Sequence, residues 1–334
     1  MKIAFFELKD WEKEYVTQQL KDFALSFFDE PLSQENVDKV KDVQVVSAFV
    51  DSPMDKALIE KMPKLKMIAA RSTGFDHIDV AFCKEKNITV CNVPTYGENT
   101  VAEHAFALIL DLSRKIHQSI ESVKSVGFSV KGLMGFDLKG KTIGVVGMGN
   151  IGKHVARIAQ GFEMNVVVFD VHQDKKLAKQ LKFSYASLED LLKVADIITL
   201  HVPFNEHTKH LINAQNMGLV KKGAYLINTS RGGIVETDAL VKALDDGTLA
   251  GAGLDVLEEE CFIKEEGQLL SHKIPATCDI KTLLENHVLM ERDNVIITPH
   301  NAFNSREALD RIMETTVENI QAFNQGKIIN QCTI

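Results

Sequence analysis

A glycine-rich segment between an apolar strand and a helix constrains this chain more than any other part of its sequence. Residues 147–152 read GMGNIG and fit the pattern G-x-G-x-x-G. They follow the apolar segment 142–146, TIGVV, and begin the helix-like segment 150–162, NIGKHVARIAQGF. The glycines therefore fall where a strand must turn tightly into a helix, which is typical of a parallel α/β sheet that binds phosphate at the helix N-terminus.

Each position of this turn has a role in a dinucleotide-binding site. Gly147 allows the tight turn, Gly149 lets the backbone approach a pyrophosphate, and Gly152 allows the helix to pack closely on the strand. Asn150 and Ile151, between the last two glycines, are predicted to bind the cofactor with them. A purely structural glycine loop is the alternative, because a G-x-G-x-x-G match alone is a weak signal.

Asp170 ends the next apolar segment, NVVVFD, and predicts which dinucleotide is bound. A carboxylate at this distance beyond the turn accepts hydrogen bonds from the adenosine ribose hydroxyls. It also repels the extra phosphate of NADP, and no arginine follows within VHQDKK to accommodate that phosphate, although Lys175 and Lys176 are cationic. The predicted cofactor is NAD, and the alternative for this residue is a simple surface aspartate.

Length and the order of apolar segments predict two domains. At 334 residues the chain exceeds the usual size of one hydrophobic core. Strand-like and helix-like segments alternate before and after a long amphipathic stretch at 101–123, which predicts parallel sheets with helices on their faces. The last helical stretch, 305–326, is expected to pack back on the first domain. The predicted domains are therefore residues 1–99 with 300–334, and residues 100–299.

The predicted strands and a glycine-rich arm complete this outline. The strands of the first domain are expected at 2–6, 43–50, 66–70 and 89–92, and those of the second at 142–147, 165–170, 197–203, 224–230, 249–256 and 294–300. Residues 125–140 contain four glycines and several apolar residues, which suits an irregular arm that wraps a partner subunit. A homodimer is expected.

Composition excludes several classes of function. The formal charge of -8 and the pI near 5.8 argue against a protein that holds nucleic acid or an anionic membrane surface. The five cysteines are odd in number and form no C-x-x-C pair, so neither a disulfide framework nor a metal site is indicated. Charged residues follow the short apolar start too soon for a signal peptide, and no apolar run reaches membrane-spanning length. The expected location is the cytoplasm.

Several further segments, taken with GMGNIG, resemble in order the motifs of the D-isomer-specific 2-hydroxyacid dehydrogenases. They are HVPFNEHTKHLI at 201–212, INTSRGG at 227–233, GLDVLEEE at 253–260 and ITPHNAF at 297–303, with RSTGFDHID at 71–79 and NVPTYGENTVAEHA at 92–105. The resemblance implies two doubly wound parallel-sheet domains of the Rossmann or flavodoxin-like type. It also implies a substrate domain split around the NAD domain, a cleft between them, and a catalytic arginine, glutamate and histidine. The pattern is most similar to the D-lactate dehydrogenase branch.

Residue chemistry supports the arginine and the histidine of this set. Arg231 follows an apolar strand, where the carboxyl end of a parallel strand faces the ligand. Its guanidinium can hold the carboxylate of a 2-oxo acid through two hydrogen bonds and polarise the ketone. His300 also follows a strand, and its imidazolium can protonate the ketone oxygen as hydride reaches the carbon. A surface arginine and an ordinary core or surface histidine are the alternatives.

The glutamate is assigned by the resemblance. Glu260 lies five positions after Asp255, which is the spacing of the catalytic glutamate in the family's GLDV segment. A carboxylate beside His300 stabilises the imidazolium and keeps the acid charged near neutrality. Glu258 and Glu259 are the competing assignments. A long connection at 261–292, expected to be partly helical, follows this position and is shared with the D-lactate branch.

Supporting roles are implied for residues that flank the motifs. Asp255, Thr229 and Ser230 are expected on the nicotinamide side, Val202 and Pro203 beside the adenine ribose, Thr73 and Gly74 at the substrate carboxylate, and Tyr96 and Phe303 in the pocket wall. Core packing is the alternative for the two aromatic residues. The expected reaction is reduction of pyruvate to D-lactate. The alternatives are a dehydrogenase of branched-chain or aromatic D-2-hydroxy acids, and an NAD-sensing protein without turnover.

Overall fold

The computed structural model describes residues 1–260 and 279–332, and its contacts divide the chain into two compact units. Unit 1 contains Met1–Tyr96 and Asn304–Ile334, and unit 2 contains Gly97–Phe303. Within the described residues each unit is built on one sheet whose strand pairs are all parallel. The predicted fold class of two parallel-sheet α/β domains is therefore confirmed.

Unit 1 has a five-stranded sheet in the order β2-β1-β3-β4-β5, which is the flavodoxin-like order. Its strands are β1 (Lys2–Phe6), β2 (Ala24–Phe28), β3 (Val45–Ala48), β4 (Met67–Ala70) and β5 (Thr89–Cys91), and its first helices are α1 (Asp10–Gln19), α2 (Lys56–Ile59) and α3 (Val80–Glu85). Successive residues of β1 enter different hydrophobic cores. Ile3 and Phe5 lie in one core, and Ala4 and Phe6 lie in the other. The strand is apolar throughout because both of its faces are covered.

Unit 2 has a seven-stranded sheet in the order β12-β11-β10-β9-β6-β7-β8. The strands are β6 (Thr142–Val146), β7 (Asn165–Phe169), β8 (Ser184–Tyr185), β9 (Ile197–Leu200), β10 (Ala224–Asn228), β11 (Leu249–Leu254) and β12 (Val295–Ile297). The direction of winding reverses between β6 and β9, which pair with each other. In doubly wound sheets, ligands bind beyond the carboxyl ends of the strands at such a reversal.

The helices of unit 2 cover both faces of this sheet. They are α4 (Glu98–Arg114), α5 (Ile116–Ser125), α6 (Asn150–Gly161), α7 (Lys175–Gln180), α8 (Leu188–Val194), α9 (Ala214–Met217), α10 (Thr237–Asp245) and α11 (Ile280–Met290). Helix α4 packs on α6 and on the strands β10 and β11. The last helix, α12 (Arg306–Asn324), belongs to unit 1, where Met313, Val317 and Ile320 enter a core with β1. None of the helices in the described residues is long and apolar enough to span a membrane.

Three features differ from the sequence prediction. The helical stretch predicted at 101–123 is two helices, because Lys115 takes a left-handed conformation with φ of 50° and ends α4. Strands β2 and β8 were absent from the prediction. Strand β2 pairs only with β1 at the edge of its sheet and is partly exposed, although its sequence ALSFF is largely apolar, and β8 has only two residues.

The long connection after β11 is described only in its second part. Helix α11 occupies 280–290, in agreement with the prediction of a partly helical segment, and Asp279 caps its first turn through Lys281 N–H. Residues 261–278, with Cys261 and Cys278, lie outside the described residues.

Candidate active site

The predicted site residues of unit 2 follow six adjacent strands at one edge of the sheet. His300 follows β12, Glu260 follows β11 and Arg231 follows β10. Val202 follows β9, and the glycine turn and Asp170 follow β6 and β7. Because the strands are parallel, their carboxyl ends lie along the same edge. The sheet order therefore places the predicted acid–base pair, Glu260 and His300, at one end of a row and the glycine turn near the other.

Two of the three glycines in the turn lie where a side chain would clash, and the third faces open space. Gly147 has φ of 97°, and a Cβ there would lie 2.5 Å from the main-chain oxygen of His201. A Cβ on Gly152 would lie 2.1 Å from Gly147 O, so this glycine permits the close packing of α6 on the turn. A Cβ on Gly149 would meet no atom within 4 Å, because this residue faces open space at the start of α6. Phosphate can approach the backbone there.

Asp170, which was predicted to bind the adenosine ribose, is hydrogen-bonded to the glycine turn. Its Oδ2 accepts a hydrogen bond from Met148 N–H at 2.6 Å, and its Oδ1 accepts one from His172 N–H at 2.7 Å. These bonds orient a half-exposed carboxylate beside the turn. Lys175 and Lys176 lie in the first turn of α7, which Asp174 caps.

Two buried polar groups near the ends of β9 and β10 have no hydrogen-bond partner within the described residues. They are the hydroxyl of Thr229, which was predicted on the nicotinamide side, and Nδ1 of His201. Ser230 differs from its neighbour, because its hydroxyl donates to Leu200 O at 2.7 Å. A buried polar atom without a partner is rare in a folded protein, so the Thr229 hydroxyl fits a site that a cofactor completes.

His201 was not among the predicted site residues, although it begins the HVPFN segment. Burial lowers its pKa to about 3, and its Nε2 lies 2.8 Å from the hydroxyl of Thr199. The ring is therefore neutral, and its main-chain oxygen lies against Gly147. Val202 and Pro203, the predicted neighbours of the adenine ribose, follow His201. Val202 is half-buried and Pro203 is exposed.

Arg231 lies between strand β10 and a short 3₁₀ turn at Gly232–Ile234. Its side chain is half-buried, and one guanidinium nitrogen donates to Ser230 O at 2.9 Å. A Cβ on Gly232 would lie only 2.0 Å from the carbonyl carbon of Leu257. Glycine thus lets the backbone after β10 touch the loop after β11, which brings the segment of Arg231 against the segment of Glu260.

Glu260 and His300 form a direct pair. The Oε1 atom of Glu260 lies 2.7 Å from Nδ1 of His300, and its Oε2 accepts a hydrogen bond from Leu257 N–H at 3.3 Å. The histidine ring is 27% and the carboxylate 34% exposed, so solvent and small molecules reach the pair. With Nδ1 bound to the carboxylate, Nε2 is the atom left to exchange a proton with a substrate.

The other two glutamates of this loop do not contact His300. Glu258 pairs with His210, whose Nε2 lies 2.6 Å from its Oε1, and its Oε2 accepts from the Thr237 hydroxyl at 2.8 Å. Glu259 has a left-handed backbone with φ of 59°, and burial, together with Glu258, raises the pKa of its carboxyl. The geometry favours Glu260 among the three candidates.

The loop of Glu260 has a support that the sequence did not indicate. Asn286 of α11 is fully buried, and its Nδ2 donates to Glu258 O at 2.7 Å. Asp255, predicted beside the nicotinamide, is also buried, and its carboxylate is hydrogen-bonded to Thr298 and to the backbone after His300. Both groups fix the segments on which the predicted acid–base pair is carried.

The predicted substrate-binding residues other than Arg231 lie mostly in unit 1. Thr73 and Gly74 follow β4, and the Thr73 hydroxyl donates to Val93 O at 2.8 Å. Tyr96 is half-buried, and its main-chain oxygen accepts from Arg311 Nε at 2.6 Å. Phe303 is half-buried at the last position of unit 2. Their roles toward a substrate stay predictions.

Comparison with known proteins identifies the family of this chain. Residues 106–302 match the family model for the NAD-binding domain of the D-isomer-specific 2-hydroxyacid dehydrogenases. This match covers more than half of the sequence. The chain belongs to the D-isomer-specific 2-hydroxyacid dehydrogenase family. The predictions of this family and of NAD as the cofactor are therefore confirmed.

Relatives extend this similarity over nearly the whole length of the dehydrogenase. The chain is 35% identical to a 2-hydroxyacid dehydrogenase homolog of Zymomonas mobilis, with 98% of each chain covered. It is 36% identical to the glyoxylate reductase of Thermococcus litoralis, with 87% of this chain and 84% of the relative covered. The crystal structure of D-lactate dehydrogenase from Aquifex aeolicus, complexed with NAD and lactic acid, is similar with a TM-score of 0.87. That protein is 38% identical, with 97% and 96% of the two chains covered.

Proposed function

We propose that this family member is a D-lactate dehydrogenase that converts pyruvate, NADH and a proton to D-lactate and NAD. The observation that carries the proposal is the contact of 2.7 Å between Glu260 and His300, at the strand edge that also carries Arg231. The similarity to the Aquifex aeolicus D-lactate dehydrogenase supports the choice of pyruvate. The similarity to a glyoxylate reductase makes glyoxylate the main competing substrate.

The cofactor is expected to bind along the strand edge of unit 2. Gly147, Gly149 and Gly152, with Asn150 and Ile151, would hold the pyrophosphate at the start of α6, and Asp170 would bind the adenosine ribose. Val202 and Pro203 would border that ribose, and the unpartnered hydroxyl of Thr229 would lie with Ser230 and Asp255 on the nicotinamide side. The bound nicotinamide supplies the hydride.

The chain's own residues would supply the charge and the proton. Arg231 would bind the pyruvate carboxylate through the two-point contact that its planar guanidinium allows. His300 would donate the proton on Nε2 to the ketone oxygen, while Glu260 on Nδ1 stabilises the imidazolium and fixes the ring. In the reverse direction, neutral His300 would accept the hydroxyl proton of D-lactate. Thr73 and Gly74 would add N–H groups for the carboxylate, and Tyr96 and Phe303 would limit the size of the substrate.

A homodimer remains part of this proposal. Apolar side chains of the arm at 125–140 are strongly exposed, with Val126 at 81%, Phe128 at 100%, Val130 at 88% and Met134 at 89%. An apolar surface of this kind is usual where a partner binds. A second copy of this chain is the expected partner, and light scattering on the purified protein measures the assembly directly.

A panel of 2-oxo acids tests the substrate. The values of kcat/KM with NADH should be highest for pyruvate. One added methylene changes binding by about 1 to 3 kcal/mol, so 2-oxobutyrate should be reduced more slowly, and 2-oxoisocaproate and phenylpyruvate far more slowly. Chiral analysis should identify the product of pyruvate as D-lactate.

Other outcomes of this panel have distinct meanings. A clear preference for glyoxylate would indicate a glyoxylate reductase, and a preference for 2-oxoisocaproate or phenylpyruvate would indicate a branched-chain or aromatic substrate. L-lactate as the product would contradict the proposed stereochemistry. NADH binding without oxidation of NADH by any of these acids would favour the NAD-sensing alternative.

A further inference from the structure

The backbone of His300 lies in a conformation that needs outside support. Its φ of 49° is in the left-handed region, which L side chains rarely adopt and which persists only where the surroundings fix it. Thr298 and Asp255 provide that support, and the main-chain oxygen of Thr298 accepts from His300 N–H at 2.9 Å. The main-chain oxygen of Asp255 accepts from His300 N–H at 2.8 Å, and its carboxylate accepts from Asn301 N–H at 3.0 Å and Ala302 N–H at 2.9 Å.

A second histidine lies at the same carboxylate. His104 is in helix α4, and its Nε2 lies 3.0 Å from the hydroxyl oxygen of Thr298 and 3.4 Å from Oδ1 of Asp255. The Thr298 hydroxyl donates its single proton to Oδ1 of Asp255 at 2.5 Å, so toward His104 it can only accept. The hydrogen bonds therefore run in one direction, from His104 through Thr298 to Asp255.

This chain of hydrogen bonds favours the ionised form of Asp255. Burial opposes the charge, but the hydrogen bonds from His104, Thr298 and the amides of Ala302 and Asn301 outweigh it and hold the pKa of this carboxyl below its usual value. An ionised carboxylate accepts hydrogen bonds at both oxygens, as the backbone after His300 requires. The His104 donor therefore contributes to the support of that backbone from a different element of unit 2.

We propose that His104 is a positioning residue for His300. Through Thr298 and Asp255 it fixes the backbone at 300–302, and thereby holds the imidazole of His300 against Glu260, without touching substrate or cofactor. The inference rests on the proposed role of His300 as the acid and base of the reaction. Within the described residues, the charged groups recorded at the two rings are Glu260 at His300 and Asp255 at His104.

Two substitutions distinguish the effect of the hydrogen bond from the effect of the volume that the His104 side chain fills. His104→Leu keeps apolar bulk but has no donor, whereas His104→Gln presents an amide N–H near the position of Nε2. With pyruvate, His104→Leu should lower kcat about tenfold and change KM for NADH less than about twofold, because a misplaced acid slows chemistry while the cofactor site is intact. His104→Gln should recover most of the lost kcat.

The pH profile adds a readout that a merely structural role would not move. In His104→Leu the upper pH limit of pyruvate reduction should fall, because the His300 imidazolium is no longer held against the carboxylate of Glu260. In His104→Gln this limit should return toward the wild-type value. Equal losses of kcat in the two variants would contradict the proposal, since shape rather than the donor would then matter.

Amide hydrogen exchange tests the same inference without turnover. In the protein without substrate, exchange at Asn301 and Ala302 should be about tenfold faster in His104→Leu than in the wild type, because those amides lose a fixed acceptor. Thr298→Val removes the intermediate hydroxyl at nearly constant volume and should have the same effect. His104→Gln, which keeps a donor at this position, should exchange at about the wild-type rate, and faster exchange in this variant would contradict the proposal.

The two kinds of failure are distinguishable. If the wild type reduces no 2-oxo acid, the proposed function is wrong, and the exchange rates still report whether His104 supports the backbone at 300–302. If exchange at these amides is unchanged in both His104→Leu and Thr298→Val, the positioning role of His104 is contradicted whatever the activity.

Discussion

Three consecutive glutamates after β11 have three different environments. Glu258 binds His210 and Thr237, Glu259 lies in a left-handed turn, and only Glu260 contacts His300. The chemistry of a carboxylate is the same at each position, so their contacts determine which one can act on the imidazole. The resemblance favoured Glu260 by spacing, and the distances give a physical reason for the same choice.

Replacing Glu260 should change the pH dependence of the reaction. Glu260→Gln removes the negative charge beside the imidazolium, so the upper pH limit of pyruvate reduction should move down, and oxidation of D-lactate should persist to lower pH. Rate profiles against pH measure both limits. Glu259→Gln is the matched control and should leave them in place. A shift in Glu258→Gln without one in Glu260→Gln would show that the wrong glutamate is assigned.

Asp170 should determine the preference for NAD over NADP. Asp170→Ala removes the acceptor for the ribose hydroxyls and relieves the repulsion of the NADP phosphate, so the ratio of kcat/KM values for the two cofactors should fall. Asp174→Ala is the matched control, because that carboxylate caps α7 instead of contacting the glycine turn. An unchanged ratio in Asp170→Ala would remove the residue from this role.

His201 should make the stability of the fold depend on pH. Its pKa is lowered by burial from 6.5 to about 3, so as pH falls the unfolded chain binds the proton first, and stability is lost between these two values. From about pH 7 to about pH 4 the free energy of unfolding should fall by about 3 kcal/mol more in the wild type than in His201→Gln. Urea denaturation at the two pH values measures this difference. Equal pH dependence in both proteins would show that the ring is not buried in its neutral form.

At the scale of elements, the strand ends explain why much of the site was predictable. Apolar runs mark the strands, and the residues that follow them lie at one edge whenever the strands are parallel. Gly147, Asp170, Arg231 and His300 each follow such a run, so their neighbourhood in unit 2 follows from local patterns and the fold class. In unit 1, the first and last strands along the chain, β1 and β5, were predicted from the same kind of apolar run.

The supports of these residues come from elements without such a pattern. His104 lies within an amphipathic helix, Asn286 within a helix far along the chain, and His210 in a loop. Each contacts the site through tertiary packing. His104 and His210 lie in segments that resemble the family's motifs, but none of the three residues follows an apolar strand, so the strand pattern does not place them at the site. The break at Lys115 was missed for a related reason, because lysine rarely takes a left-handed conformation and gives no signal of it.

At the scale of the whole molecule, both units are built on a parallel sheet, but the strand orders of the two sheets differ. Unit 1 has the flavodoxin-like order of five strands, and unit 2 has a seven-stranded sheet in which the order reverses beside the glycine turn. The NAD-binding family model lies within unit 2. We propose that unit 2 is the NAD-binding domain and unit 1 the substrate domain, as the resemblance implied for residues 100–299 and for 1–99 with 300–334.

The choice of substrate depends on the size of the side chains around it, whereas the reaction itself depends on a few fixed groups. Arg231, Glu260 and His300 suit any 2-oxo acid, since each acts on the carboxylate or the ketone that all of these acids share. The sequence therefore predicts the reaction class from motifs. The choice between pyruvate and glyoxylate depends on one methyl group, for which no motif exists.

The role of His300 as the acid that protonates a 2-oxo acid is tested most directly by kcat/KM for pyruvate in the wild type and in His300→Gln. Glutamine can hydrogen-bond but cannot donate a proton to the forming alkoxide, so the value should fall about 100-fold to 10,000-fold. The dissociation constant of NADH should change little, because the glycine turn and Asp170 lie beyond other strands. A wild-type enzyme that reduces pyruvate, together with a His300→Gln variant that retains most of that activity, would contradict the account.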